Sequence, residues 1–231
     1  MPAPNAPPLW IWIGTIIIVS PVLATFALLA REFVRAKPLM ALRHGETNIE
    51  LWLRERKQPI WADAIIVPVA PDLKMTTGIA KWVRDATANA IQHEAQIVAP
   101  LAPGEAFVGS GGRYRFNVTC LAVVMDEYKR TTPEWISSAI ARSLVEARQK
   151  DATSCLLPDF TEDLLRQPAQ ITQEQRRATC KPIAHAMIDG ILASGGAMEV
   201  VRIWVWRAGM EDIFREELAA LAAGSRMAAA A

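Results

Sequence analysis

Residues 9–30 run without a single charged side chain, and this run limits what the chain can fold into more than any other feature. As a helix rising about 1.5 Å per residue it spans roughly 33 Å, enough to cross a bilayer core of about 30 Å. Trp10 and Trp12 stand at its start, where indoles favour the headgroup zone, and Arg31, Arg35 and Lys37 follow its end. No cation precedes it except the amino terminus. Basic flanks stay inside, so the pattern predicts a single pass through the cell (inner) membrane, amino terminus outside and residues 31–231 cytoplasmic. Pro21 would kink the helix, which membrane spans tolerate. A signal peptide would open with positive charge and carry an apolar region of about 7 to 15 residues; this chain opens Met1-Pro2-Ala3-Pro4. A core helix of this length would show a polar stripe, and none is visible.

The net charge of +1 implies no strong field for nucleic acid, and no nucleic-acid partner is expected. Between Arg31 and Lys57 seven Lys or Arg face four acids. Such a stretch can lie on anionic lipid headgroups, each well-placed cation contributing about 1 kcal/mol, or form a solvated linker face. Cys120, Cys155 and Cys180 are odd in number and outside any C-x-x-C pattern, which fits free thiols in a reducing compartment. His44, His93 and His185 are isolated. No metal site and no cofactor are expected.

Beyond the linker, short apolar runs alternate with amphipathic ones. Residues 49–53 read as a strand and 64–69 as a buried strand, followed by one helix from Thr76 or Thr77 to about Ala95. Strands are expected over 106–108 and 115–124, around a hairpin turn at Gly109-Ser110-Gly111-Gly112. Thr132-Pro133-Glu134 is a helix start with cap, proline and acid in order. Residues 154–157 read as a further buried strand. The polar stretch 159–181 reads as a long connection, although Thr172-x-x-Gln175 is a possible capping box. Ile183, Met187, Ile188 and Ile191 line a helix, 200–206 is a strand, and Ile213, Phe214 and Leu218 mark a last helix before an Ala-rich tail expected to fray. Strands alternating with helices imply an α/β sheet covered on both faces.

The order of these segments resembles the macrodomains, an α/β/α family that binds ADP-ribose and in some members hydrolyses it from proteins. Ala62-Asp63-Ala64-Ile65-Ile66-Val67 is similar to the family's strand, Thr76-Thr77-Gly78-Ile79-Ala80 stands where its glycine-rich phosphate loop does, Pro103-Gly104-Glu105-Ala106 opens the next strand, and Ser154-Cys155-Leu156-Leu157-Pro158 precedes the second loop. The resemblance implies a three-layer α/β/α macrodomain-like mixed sheet, preceded by a single transmembrane helix. The implied organisation is a tail (1–8), the span (9–30), a basic juxtamembrane linker (31–45), the macrodomain-like domain (46–222) and a flexible tail (223–231).

The family's ligand residues are largely replaced. Glu55-Arg56-Lys57 stands in for a segment whose Asp accepts from adenine, and a cation cannot accept. Val67-Pro68-Val69-Ala70 lacks the two side-chain amides expected near the distal ribose, and Pro68 removes a backbone donor. Of three loop glycines only Gly78 remains, and its bland role is to permit a turn. Asp159, Glu162 and Asp163 put carboxylates where a diphosphate would lie. By position in the family pocket, the candidate ligand contacts are Thr77, Gly78, Ile79, Asp159, Phe160 and Thr161. Asp126-Glu127 could pair as carboxylates, though adjacent loop charges are more often solvated. No Ser/His/Asp or Cys/His constellation is present, so no catalytic residue is named.

These features lead us to expect a membrane-anchored, non-catalytic binding or scaffolding module, an accessory subunit of a membrane protein complex. The alternative is a membrane-tethered ADP-ribose reader or ADP-ribosyl hydrolase. Within 159–181, Phe160, Leu164, Leu165, Arg176 and Arg177 are the expected contacts to a protein partner. The eight tryptophans suit both interfaces and core.

Overall fold

The computed structural model describes residues 37–53, 61–111, 116–164, 172–206 and 209–229. The apolar run 9–30 lies outside them, and among the described residues no helix is long and apolar enough to cross a membrane. Leu165 and the Glu55-Arg56-Lys57 segment also lie outside them.

Among the described residues seven strands form one mixed sheet: β1 (Met40–His44), β2 (Thr47–Leu53), β3 (Ala64–Val69), β4 (Ala106–Ser110), β5 (Val118–Val123), β6 (Ser154–Pro158) and β7 (Val200–Val205). Their order is β1-β2-β7-β6-β3-β5-β4. The edge pairs β1–β2 and β4–β5 are antiparallel and the rest parallel. The interior strands β3 and β5 are buried at every position, as continuous apolar runs in a sheet covered on both faces should be.

Six helices are described: α1 (Gly78–Ala86), α2 (Ala90–Val98), α3 (Pro133–Gln149), the single turn α4 (Thr161–Leu164), α5 (Gln173–Ala193) and α6 (Met210–Ala229). One core gathers Ile136 and Ile140 of α3, Met187 and Ile191 of α5, and Phe214 and Leu218 of α6 against Ile66, Cys120 and Leu157. The second gathers Ile79 and Val83 of α1 and Ile91 and Ala95 of α2 against Ile65, Val67 and Leu156. The sheet is therefore covered on both faces, as expected. Trp204 and Trp206 pack on this second core with ring centroids 4.4 Å apart, whereas Trp61 and Trp82 are exposed.

Local chemistry explains the helix starts that the sequence marks clearly. Thr132 Oγ1 accepts from Trp135 N at 3.3 Å, with Pro133 opening α3. At α5 the capping box is complete: Gln175 N donates to Thr172 Oγ1 at 3.2 Å and Thr172 N to Gln175 Oε1 at 3.0 Å.

Four expectations need correction. Residues 40–44, assigned to the linker, form the edge strand β1, because Gly45 at φ +57° turns the chain back onto β2. The single helix from Thr77 is two, broken where Ala88 and Asn89 take φ of +51° and +65°. The stretch 159–181 is no long loop, since α4 and the first turns of α5 occupy much of it. The Ala-rich tail continues α6 to Ala229, in line with the high helix propensity of alanine.

Candidate functional site

β3 connects through α1, α2 and β4 to β5 on one side, whereas β6 connects through α4 and α5 to β7 on the other. Adjacent strands whose connections depart in opposite directions leave a crevice at their carboxyl ends, where open α/β sheets bind ligands. A cavity of about 330 Å³ opens there, lined by Pro68, Val69 and Ala70 after β3, Thr76 and Thr77 before α1, Met125 and Glu127 after β5, and Asp163 of α4. Its volume is at the low end of the roughly 300 to 1,000 Å³ usual for ligand sites. At β3 the wall offers two prolines, a valine and an alanine, and no side-chain amide.

The 125–130 loop is braced by Asp126, which is 9% exposed. Its carboxylate accepts from Tyr128 N at 2.9 Å, Arg130 N at 2.8 Å and Arg130 Nε at 2.7 Å. Burial opposes ionisation, but the Arg130 and Tyr128 donors outweigh it and hold the Asp126 carboxyl below the usual range. The Arg130 guanidinium also sits 5.1 Å from the Tyr128 ring centre. This bracing places Glu127 and Lys129 on the cavity wall, the latter at φ +63°. Across the loop after β3, Lys74 pairs with Asp72 at 3.2 Å, and both line the cavity. Sequence reading missed Asp72, Lys74 and Lys129, and gave Thr76 a place in the loop without naming it as a contact. The available signal was their position just past strand ends, where binding residues gather.

Gly78 opens α1 at φ +56°, so a side chain there is disfavoured by backbone alone. Contact with Asp163 adds to that. An ideal Cβ on Gly78 would stand 1.6 Å from Asp163 Oδ1 and 2.7 Å from its Cγ, far inside contact distance. Gly78 therefore does more than permit a turn: it makes room for a carboxylate presented by the neighbouring loop.

Of the six residues expected to contact ligand, Thr77 lines the cavity and Gly78 adjoins it through Asp163. Ile79 is 6% exposed and belongs to the α1 core. Asp159 is turned inward, accepting from Thr161 N at 2.9 Å and Thr161 Oγ1 at 2.8 Å, which holds α4 in place. Thr161 is itself 4% exposed. Phe160 is fully buried among the α5 and α6 core residues, so it has no surface to offer a ligand or partner. Leu164 packs on the same core. Arg176 is half-buried, and Arg177 pairs with Glu216 across α5 and α6. The large side chains of this stretch face inward because α4 follows directly on β6.

Burial pushes the Cys120 and Cys155 thiols well up, so neither supplies a thiolate at neutral pH. Among the described residues no group of three His, Cys, Asp or Glu could hold a metal ion.

Residues 68–175 match the Macro domain family model. No curated protein sequence is a significant match. Among solved structures, the Oceanobacillus iheyensis macrodomain with MES bound is 13% identical at a TM-score of 0.64, covering 80% of this chain and 97% of that one. The same macrodomain with ADP gives the same values. The Trypanosoma brucei macrodomain in complex with ADP-ribose is 13% identical at a TM-score of 0.55, covering 75% of this chain and 68% of that one. The described residues thus form a macrodomain-like fold, within which residues 68–175 match the Macro domain family model.

Proposed function

We propose that this chain is a membrane-anchored, non-catalytic macrodomain-like module that serves a membrane protein complex as a binding or scaffolding subunit, with residues 9–30 as its single span. One observation carries the non-catalytic part: the crevice at the carboxyl ends of β3 and β6 presents Asp163 against Gly78 and no side-chain amide along β3. A diphosphate entering that crevice meets a fixed carboxylate. Two unit charges about 4 Å apart repel by roughly 4 kcal/mol at an effective dielectric near 20. The anchor rests on the length and lack of charge of the run 9–30, together with its tryptophan and arginine flanks.

The alternative, a tethered ADP-ribose reader or hydrolase, draws on the likeness to macrodomain structures that contain ADP or ADP-ribose. Calorimetric titration of the full chain, extracted in mild detergent, with ADP-ribose separates the two. We expect no binding heat. Micromolar affinity would replace our reading with the alternative. Recovery of a defined set of membrane proteins with the wild-type chain, but not with a chain lacking residues 1–30, is the matching expectation for the scaffold.

A further inference from the structure

We propose that the sheet face over β1, β2 and β7 is a membrane-surface dock, which lays Trp52, Trp204 and Trp206 against the headgroup zone of an anionic bilayer. The inference rests on the reading above, in which residues 9–30 span the membrane, and it names the surface that the domain turns to the lipid.

Register puts these residues on one side of the sheet. Ala41 stands opposite Glu50 and Arg43 opposite Asn48, while Glu50 is level with Arg202 and Trp52 with Trp204. Trp206 follows Trp204 at the next position on the same side of an extended chain. On the opposite side Ile49, Leu51, Val201 and Ile203 are buried in the first core, and among the described residues it is α6 that packs there on β1 and β2. α1 and α2 lie on the Trp52 side, but they pack on β3 and β4, and their core takes in no residue of β1 or β2. Asn48, Glu50, Trp52, Arg202, Trp204 and Trp206 are accordingly half-buried, and Arg43 is exposed.

The polar groups of this face bond along the sheet. Glu50 Oε2 accepts from Arg202 Nε at 3.0 Å and from Trp52 Nε1 at 2.9 Å. Glu50 Oε1 accepts from Asn48 Nδ2 at 3.0 Å, and Arg202 Nη1 donates to Trp61 O at 2.6 Å. Covering the face therefore strands none of these donors, which is the condition for moving it out of bulk water. Beyond them it presents indole surface, which favours the headgroup zone. Arg43 donates to Gly45 O at 3.4 Å and pairs with no carboxylate among the described residues, so it supplies a cation for an anionic headgroup.

Chain length selects lipid as the occupant. Leu39 N donates to Leu51 O at 2.8 Å, so β1 begins beside Trp52. Residues 31–38 alone separate that point from the apolar run, and at about 3.3 to 3.6 Å per residue they reach at most roughly 29 Å. Arg31, Arg35 and Lys37 lie within them. The indole end of the face is thus the end on the short basic tether.

The experiment uses the full chain carrying Trp10→Phe and Trp12→Phe, which silences the run itself. It is reconstituted into phosphatidylcholine vesicles, with and without phosphatidylserine, whose acyl chains are brominated close to the headgroup. Bromolipid should quench roughly a quarter or more of the remaining tryptophan emission, and more with phosphatidylserine than without. Replacing Trp52, Trp204 and Trp206 with phenylalanine should remove most of that quenching, with a thermal melt showing the domain still folded. Arg43→Glu keeps every indole and should lower the quenching in phosphatidylserine vesicles alone, which decides the matter if the triple variant fails to fold. Emission that bromolipid leaves untouched overturns the dock, as does quenching that survives loss of the three indoles. Indoles open to aqueous iodide in vesicles but shielded in native membranes also overturn it, since a protein then covers the face. An aliquot washed with alkaline carbonate and floated reads the span separately. Chain that washes off overturns the spanning reading and the dock with it, whereas chain that stays but is not quenched overturns the dock alone.

Discussion

Two aspartates stand at opposite ends of the β3–β6 pair, and they do opposite things. Asp63, just before β3, accepts at Oδ2 from Thr153 N, Thr153 Oγ1, Ser154 N and Ser154 Oγ, each at 2.9 Å. Its own amide donates to Ser154 Oγ, and its carbonyl accepts from Asn117 N and Val118 N. Asp63 thus ties β3 to both β6 and β5 where those strands begin. Asp163, beyond the carboxyl end of β6, lies against Gly78 and lines the cleft. One carboxylate joins strands, and the other borders the cavity. The same side chain is structural where four donors converge on it and part of a cavity wall where the fold sets it at a strand's carboxyl end.

The largest expected effect breaks the cleft end of this comparison. Gly78→Glu must adopt φ near +56° and pass through the Asp163 carboxylate. Left-handed strain of about 1 to 2 kcal/mol and overpacking of about 1 to 3 kcal/mol together predict a loss of about 2 to 5 kcal/mol, read as a lower melting temperature. A melt within error of wild type would mean the loop yields freely.

Next comes the clamp end. Asp63→Ala strands the four donors that converge on Oδ2, and the fold should lose about 2 to 3 kcal/mol. No change in ADP-ribose binding should accompany it. A binding change would show that the two ends are coupled.

Acid titration sharpens the same contrast. Burial opposes ionisation of Asp63, but the Thr153 and Ser154 donors outweigh it and hold its carboxyl below the usual carboxylate range. A lowered folded pKa gives stability that is present above the unfolded value and lost as pH falls through the folded one. Wild-type melting temperature should therefore decline below about pH 4, and Asp63→Ala should show less of that decline. Parallel declines would remove Asp63 as the cause.

The smallest effect concerns an exposed pair for comparison with the clamp. His185 Nδ1 lies 2.8 Å from Glu217 on α6, and Asp189 lies 3.4 Å from Nε2. The Glu217 hydrogen bond raises the His185 pKa first, opposed by burial and the Lys181 charge and aided by the Asp189 and Glu217 charges. A raised pKa gives stability fully present below about pH 6.5 and lost as pH rises through the folded value. Because the side chain is 63% exposed, solvent screening limits the effect to a few tenths of a kcal/mol. His185→Ala should therefore flatten the melting profile between pH 6 and 8 only slightly.

What the sequence decided on its own is what depends on neighbours in the chain. Short continuous apolar runs at 64–69 and 154–157, bounded by turn residues, read as covered strands and form them, and Thr132-Pro133 and Thr172-x-x-Gln175 satisfy helix-end donors within one turn. The expectation of a span at 9–30 likewise rests on composition and length alone. Tertiary structure decided what depends on residues distant in sequence. β1 has an exposed, weakly apolar pattern and exists because β2 supplies its hydrogen bonds. Pro182 argues against a helix, yet α5 runs through it because Ile183, Met187 and Ile191 bury on the same core. Phe160 turns inward because Asp159 fixes the turn after β6. The repulsive carboxylates of 159–163 were legible as composition, but which one faces the cleft was not. Only the fold brings Asp163 to Gly78, since the contact is set by two loops leaving adjacent strands in opposite directions.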